Sequence, residues 1–124
     1  MNTVYFKNWG LIDFKAAWER QESLLDSIIK DKRQNKPTKS YLIFCQHSHV
    51  YTLGKSGNKK NLLLNDFELK SSGVDYYKIN RGGDITYHGP GQLVIYPIFD
   101  LDNFFTDIGL FLRTLEEIII QTLK

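Results

Sequence analysis

The segment QLVIYPIF at residues 92–99 places the tightest limit on what this chain can fold into. After Gln92 every position is apolar or aromatic, so no alternation separates a wet face from a dry one. An extended run of that kind predicts a central strand covered by layers on both faces. Pro97 should mark its last part, because proline cannot donate to a strand ladder. A chain of 124 residues can supply such a core, since one this size buries roughly two thirds of the surface its unfolded form exposes. Disulfides and structural metals are not needed, and the disulfide-scaffold class is excluded because Cys45 is the only cysteine. A lone thiol inside an apolar run suits a reducing compartment, so cytoplasm is the expected location.

The rest of the chain follows two periodicities. Asp13 can cap a helix over about 13–31, whose Phe14, Ala17, Trp18, Leu25, Ile28 and Ile29 recur at the spacing of one buried face. A second helical pattern begins after Asp107 with Ile108, Phe111, Leu112, Leu115, Ile118 and Ile119, and it is still running at Lys124 without a stop signal. That pattern predicts a C-terminally truncated product of a longer reading frame. Residues 4–6, 41–46, 50–53 and 74–79 are short and rich in β-branched and aromatic side chains, and they predict strands. The polar stretch DKRQNKPTKS at 31–40 is a solvated connection. Together these predict an α/β domain with a mixed, largely antiparallel sheet flanked by helices.

Charge and hydropathy narrow the function classes. The net charge of +2 is too small to argue for nucleic acid. The first ten residues lack the pattern of a signal peptide, and no apolar run approaches the ~20 residues of a membrane helix. Residues 30–60 do concentrate Lys30, Lys32, Arg33, Lys36, Lys39, Lys55, Lys59 and Lys60 against the single acid Asp31. Solvated loops account for them, with steering of an acidic partner as the functional alternative.

The chemistry is concentrated in RGGDITYHGPGQ at 81–92, which holds four glycines, an arginine, a histidine, a tyrosine and a threonine in twelve positions. Gly82 and Gly83 let backbone amides approach a ligand oxygen closely. Arg81 would hold an anion or orient a carbonyl. Pro90-Gly91 suits the centre of a type II turn that fixes where His88 points. A glycine-rich hairpin around a buried histidine is the plain alternative.

The block RGGDITYHGPGQLVIYP resembles the signature of the lipoyl(octanoyl) transferases, also called the lipoate-protein ligase B family. QHSHVYTLG at 46–54 is similar to a second family segment, with Gln46 where an acid is usual. Asp13-Phe14, Ala17-Trp18 and Gln21 resemble the family's first helix, with Phe14 where a tyrosine is common, and Asn61-Leu62-Leu63 also fits. ATP-using lipoate ligases typically follow the histidine with a different run, and biotin ligases carry a Gly-Arg-rich loop instead.

The resemblance implies a biotin/lipoyl protein ligase-like catalytic domain, of which residues 1–124 would be the N-terminal portion. The implied activity moves an octanoyl group from octanoyl-acyl carrier protein to a lysine of lipoyl domains. Those domains belong to 2-oxoacid dehydrogenase complexes and the glycine cleavage H protein. The step runs through a thioester on an enzyme cysteine assisted by a lysine, and both are expected after Lys124. Substrate binding falls to Arg81, Gly82, Gly83, Asp84, Ile85, Thr86, Tyr87, His88 and His47, with no metal, no cofactor, no nucleic acid and no membrane. An ATP-dependent lipoate-protein ligase-like or non-catalytic acyl-binding relative is the alternative.

Other features have simpler readings. Cys45 is a buried structural cysteine rather than the nucleophile. His47, His49 and His88 would form a metal tripod only if they converged. Gly54-Lys55-Ser56 imitates the end of a phosphate loop whose first glycine is replaced by His49. Tyr76 and Tyr77 belong to a strand rather than to a base-stacking platform.

Overall fold

Asp13 sets the first helix. Its side chain accepts the amide of Ala16, and α1 then runs over Phe14–Arg33, with Lys30, Lys32 and Arg33 in the last turn where cations meet the helix dipole favourably. The buried stripe Phe14, Ala17 and Ile28 faces the sheets. These observations come from a computed structural model that describes residues 3–124.

Among the described residues, six strands form two three-stranded sheets. β1 (Val4–Leu11), β2 (Ser40–Gln46) and β6 (Val94–Ile98) make the first, in the order β1-β2-β6, with β1 parallel and β6 antiparallel to β2. β4 (Asp75–Lys78), β3 (Val50–Leu53) and β5 (Ile85–His88) make the second, in the order β4-β3-β5, with β4 parallel and β5 antiparallel to β3. Both sheets are therefore mixed. The two central strands are successive segments of chain joined only by His47, Ser48 and His49.

Ile43 of β2, Ile98 of β6 and Ile28 of α1 form the buried cluster under the helix, with Trp9, Leu24, Tyr41 and Tyr96 packed around it. The reverse face of the same sheet is only half covered. Phe6 is 60% exposed, and its ring meets Phe44 edge-on at 4.9 Å between centroids. This corrects the expectation for 92–99. Among the described residues β6 is an edge strand, and Leu93 and Ile95 remain open to solvent instead of lying between two layers. Pro97 is tolerated for the same reason, since an edge strand leaves part of its backbone without ladder partners.

The other expected strands form, and their bounds shift for local reasons. β1 outruns 4–6 because a bulge at Asn8 and Gly10 absorbs residues with poor strand propensity. There the Asn8 side chain accepts the Gly10 amide, and Gly10 takes a φ of 64°. A short helix, α2 (Asp66–Ser72), was not expected. It starts at a capping box between Asn65 and Glu68 and ends at Gly73 with φ 70°. The last helix, α3 (Ile108–Leu123), begins at Asp107, whose side chain accepts the Leu110 amide. It is held by Phe111, which packs on Phe99 and Phe105.

Asp100 locks the end of α1 to the chain that leaves β6. Its carboxylate accepts from Lys32 at 2.8 Å and from the Thr38 hydroxyl at 2.7 Å, while its amide donates to the Ser40 hydroxyl. Lys32 and Thr38 hold the Asp100 carboxyl below the usual aspartate range against the cost of burial. The unfolded chain then binds the proton more readily than the folded one, so this contribution is complete above about pH 4 and fades as pH falls through the folded value. Asp100→Asn should destabilise the protein by about 1–3 kcal/mol at neutral pH. Urea unfolding should also show less loss of stability on acidification from pH 5 to 3 than the parent does.

Candidate active site

The two sheets and α1 meet at a cluster of aromatic rings. Phe14, at the start of α1, lies 5.3 Å from the His47 ring, 5.4 Å from Tyr77 and 6.4 Å from His88, centroid to centroid. His47 and His88 are themselves 6.0 Å apart. In front of this cluster opens a cleft of about 570 Å³, bordered by Phe14, Trp18, Gln21, Glu22 and Leu25 of α1, by 79–81 and His88, and by 96–99. One wall is apolar, and Arg81, His88 and Asn80 bring polar groups to the other.

His47 is fully buried and fully satisfied. Its Nδ1 lies 2.8 Å from the Ile12 carbonyl, which can only accept, so Nδ1 carries the proton. Nε2 then accepts from the Tyr96 hydroxyl at 2.8 Å. Burial holds His47 below the usual histidine range; the Ile12 carbonyl opposes this, the neighbouring His88 adds to it, and Asp13 opposes it. The imidazole is therefore a neutral strut. Burial likewise pushes the Tyr96 phenol up, with Cys45 adding to the effect, so the hydroxyl stays protonated as a donor.

Cys45 fits its structural reading. It is 2% exposed, burial raises its thiol, and its Sγ lies 3.7 Å from an Nε2 already occupied by Tyr96. A protonated, enclosed thiol is a poor nucleophile. The three histidines do not converge, because His49 turns to the opposite side of the second sheet, where it bonds the Tyr87 hydroxyl and stacks on that ring. No group of three or more His, Cys, Asp or Glu suited to a metal occurs among the described residues.

The glycine-rich segment is not one continuous loop. Residues 85–88 form β5, in register with β3 so that Thr86 opposes Thr52 and His88 opposes Val50. Strand alternation then divides the motif. Thr86 and His88 share the face toward α1, while Ile85 and Tyr87 share the other, where Tyr87 meets Tyr51 at 5.4 Å. Of the residues singled out from the sequence, Arg81 and His88 border the cleft, and His47 stands directly behind His88.

Arg81 and Asp84 are engaged mainly with the protein itself. The guanidinium donates to the Thr52 hydroxyl and carbonyl, to the Gly82 carbonyl and to the Asp84 carbonyl, at 2.7–3.2 Å. Its five N–H groups are almost fully used, which ties the 81–84 loop to β3 and leaves little for an anion. The Asp84 carboxylate accepts the Asn58 amide at 2.9 Å and bonds the Asn61 side chain, pinning 58–61. Gly83 has a φ of 83°, and its carbonyl packs so closely on Gly54 that a side chain at 54 would collide with it.

The turn after β5 has the expected form. Gln92 donates its amide to the Gly89 carbonyl at 3.1 Å, and Gly91 takes a φ of 91°, the value a type II turn requires. Gln46 explains its own position: Oε1 accepts the Gly91 amide at 2.7 Å, a bond that a carboxylate would also accept. Tyr96 was not singled out from the sequence. The available signal was a phenol inside an apolar strand, which has to find a partner once buried.

The sequence and the fold of this chain both match known proteins. Residues 13–124 match the lipoyl protein ligase A/B catalytic domain, and the chain belongs to that family. Within it, the chain is 55% identical to an octanoyltransferase of Christiangramia forsetii, covering 98% of this chain and 54% of that protein. It is 55% identical to the octanoyltransferase of Flavobacterium johnsoniae, over 97% and 54%, and 46% identical to that of Bacteroides thetaiotaomicron, over 98% and 53%. The chain thus spans about half the length of these curated relatives. The crystal structure of P. falciparum LipL1 in complex with lipoate shares the fold, with a TM-score of 0.52 at 18% identity over 75% of this chain and 29% of that one.

Arg81→Lys separates the two roles of the arginine. Lysine keeps the charge but cannot bridge Thr52 and the 82–84 carbonyls from one nitrogen. The expected result is a loss of about 2 kcal/mol in chemical denaturation, with faster amide exchange across 81–84. Unchanged exchange there would mean that charge alone matters.

Proposed function

We propose that this chain forms the acyl-binding part of an octanoyltransferase, which moves an octanoyl group from octanoyl-acyl carrier protein to a lysine of a lipoyl domain. The acceptors would be the lipoyl domains of 2-oxoacid dehydrogenase complexes and the glycine cleavage H protein. The observation that carries the reading is the cleft that α1 forms with residues 79–81, His88 and residues 96–99. Phe14, Trp18, Leu25 and Phe99 offer an apolar wall for an alkyl chain, and His88 and Arg81 stand where its carbonyl end would lie. The identity to octanoyltransferases supports this choice over the ATP-dependent alternative.

In this reading the nucleophile lies outside these residues. A thiolate would attack the carrier thioester carbonyl and expel the carrier's thiol, and the acceptor amine would then attack the acyl-enzyme. Cys45 is unsuited to that task by its enclosure. In this reading the cysteine and its assisting lysine would come after Lys124. Donors at the carbonyl end, with the Gly82 and Gly83 amides as candidates, would stabilise the tetrahedral oxyanion. A cytoplasmic location accords with both substrates, and no helix among the described residues is long and apolar enough to cross a membrane.

The test is incubation of the full-length protein with octanoyl-acyl carrier protein and a lipoyl domain in the absence of ATP, followed by mass spectrometry. One octanoyl group on the domain's lysine is expected, through a hydroxylamine-sensitive acyl-enzyme. Transfer that needs free octanoate and ATP would make the protein a ligase, and binding without transfer would make it an acyl-binding module.

A further inference from the structure

His88, which is half-buried, differs from the fully buried His47 in one further respect. Both nitrogens of His47 are engaged, by the Ile12 carbonyl and the Tyr96 hydroxyl. His88 has one engaged nitrogen: Nδ1 lies 2.6 Å from Oε1 of Gln92, and the ring borders the cleft. A carboxamide oxygen can only accept, so Nδ1 carries the proton and Nε2 keeps its lone pair. Which nitrogen is protonated is set by the hydrogen bond the other makes, a detail that decides whether an imidazole can accept a proton at a given point.

Gln92 is itself held by two features. The turn at 89–92 closes through the Gln92 amide to the Gly89 carbonyl, with Gly91 at positive φ. The Gln46 side chain then clamps the turn from β2 by accepting the Gly91 amide. We infer that Gln92 is a positioning residue: it selects the Nδ1–H tautomer of His88, so that Nε2 faces the cleft as a proton acceptor, and Gln46 holds the turn that presents it. The oxygen of Gln92 touches no reacting atom. Its effect passes wholly through the imidazole.

The kinetic part of this inference rests on the acyltransfer reading, whereas the tautomer part does not. The test compares Gln92→Leu, which removes the acceptor at similar size, with Gln92→Glu, which keeps one, in the full-length protein. Nitrogen-15 NMR of labelled histidine at pH 8 should show the Nδ1–H form of His88 in the parent and in Gln92→Glu, and a tautomer mixture in Gln92→Leu. In steady-state octanoyl transfer, Gln92→Leu should lower kcat about tenfold while KM stays within about twofold. Gln92→Glu should recover most of that loss.

An unaltered His88 tautomer in Gln92→Leu would overturn the inference. So would a scrambled tautomer with undiminished kcat. If the parent shows the Nδ1–H form but transfers no octanoyl group, the acyltransfer reading fails and the tautomer assignment stands. Should Gln92→Leu fail to fold, Gln46→Leu supplies the second variant. It leaves the Gln92 side chain intact while releasing the turn, and it should give the same mixture and the same fall in kcat; a pure Nδ1–H form there would remove Gln46 from the proposal.

Discussion

A fully buried imidazole organises the centre of this domain. His47 leaves β2 and enters the link to β3 at a point with no solvent, where an unpaired ring nitrogen would cost about as much as a lost hydrogen bond with its desolvation. Its two partners come from distant parts of the chain, the Ile12 carbonyl just before α1 and the Tyr96 hydroxyl on β6. Satisfying one side chain therefore fixes where the helix begins, how β6 sits beside β2 and where the second sheet starts. Phe14 and His88 then pack on the ring that those bonds immobilise.

The same economy runs through the cleft. Residues that look like ligand handles in the sequence are mostly committed to holding the protein itself: Arg81 to Thr52 and the Gly82 and Asp84 carbonyls, and Asp84 to the 58–61 turn. What remains open in the cleft is a small polar end around His88 beside an aromatic and aliphatic wall. A cleft built in this way is preorganised, since the groups that border it are already held by other groups.

The sequence made the helices and most strands legible because their signals are local. Asp13 and Asp107 cap where side-chain spacing says they should, and the apolar stripes choose the buried faces. Of the glycine-rich segment, Arg81 and His88 border the cleft, and the 89–92 turn followed from Pro90-Gly91 alone. Two things were hidden. The burial of 92–99 depends on which strands lie beside β6, and no periodicity within those residues reports a neighbour. The split of 85–88 into two faces depended on recognising β5, which carries only four residues and stands next to glycines that suggest loop. Tyr96 and Gln92 matter through partners 49 and four positions away in sequence, and only the three-dimensional pairing exposes those roles.

The short link between the central strands carries a constraint on chain length. Residues 47–49 take the backbone from the middle of one sheet directly into the middle of the other. Strand side chains alternate with period two, so one residue added or removed there would turn β3 over. Val50 and Thr52 would trade places with Tyr51 and Leu53, and the Arg81 staple would lose its hydroxyl. Over this stretch the residues themselves can vary wherever their partners allow, whereas their number is held by parity.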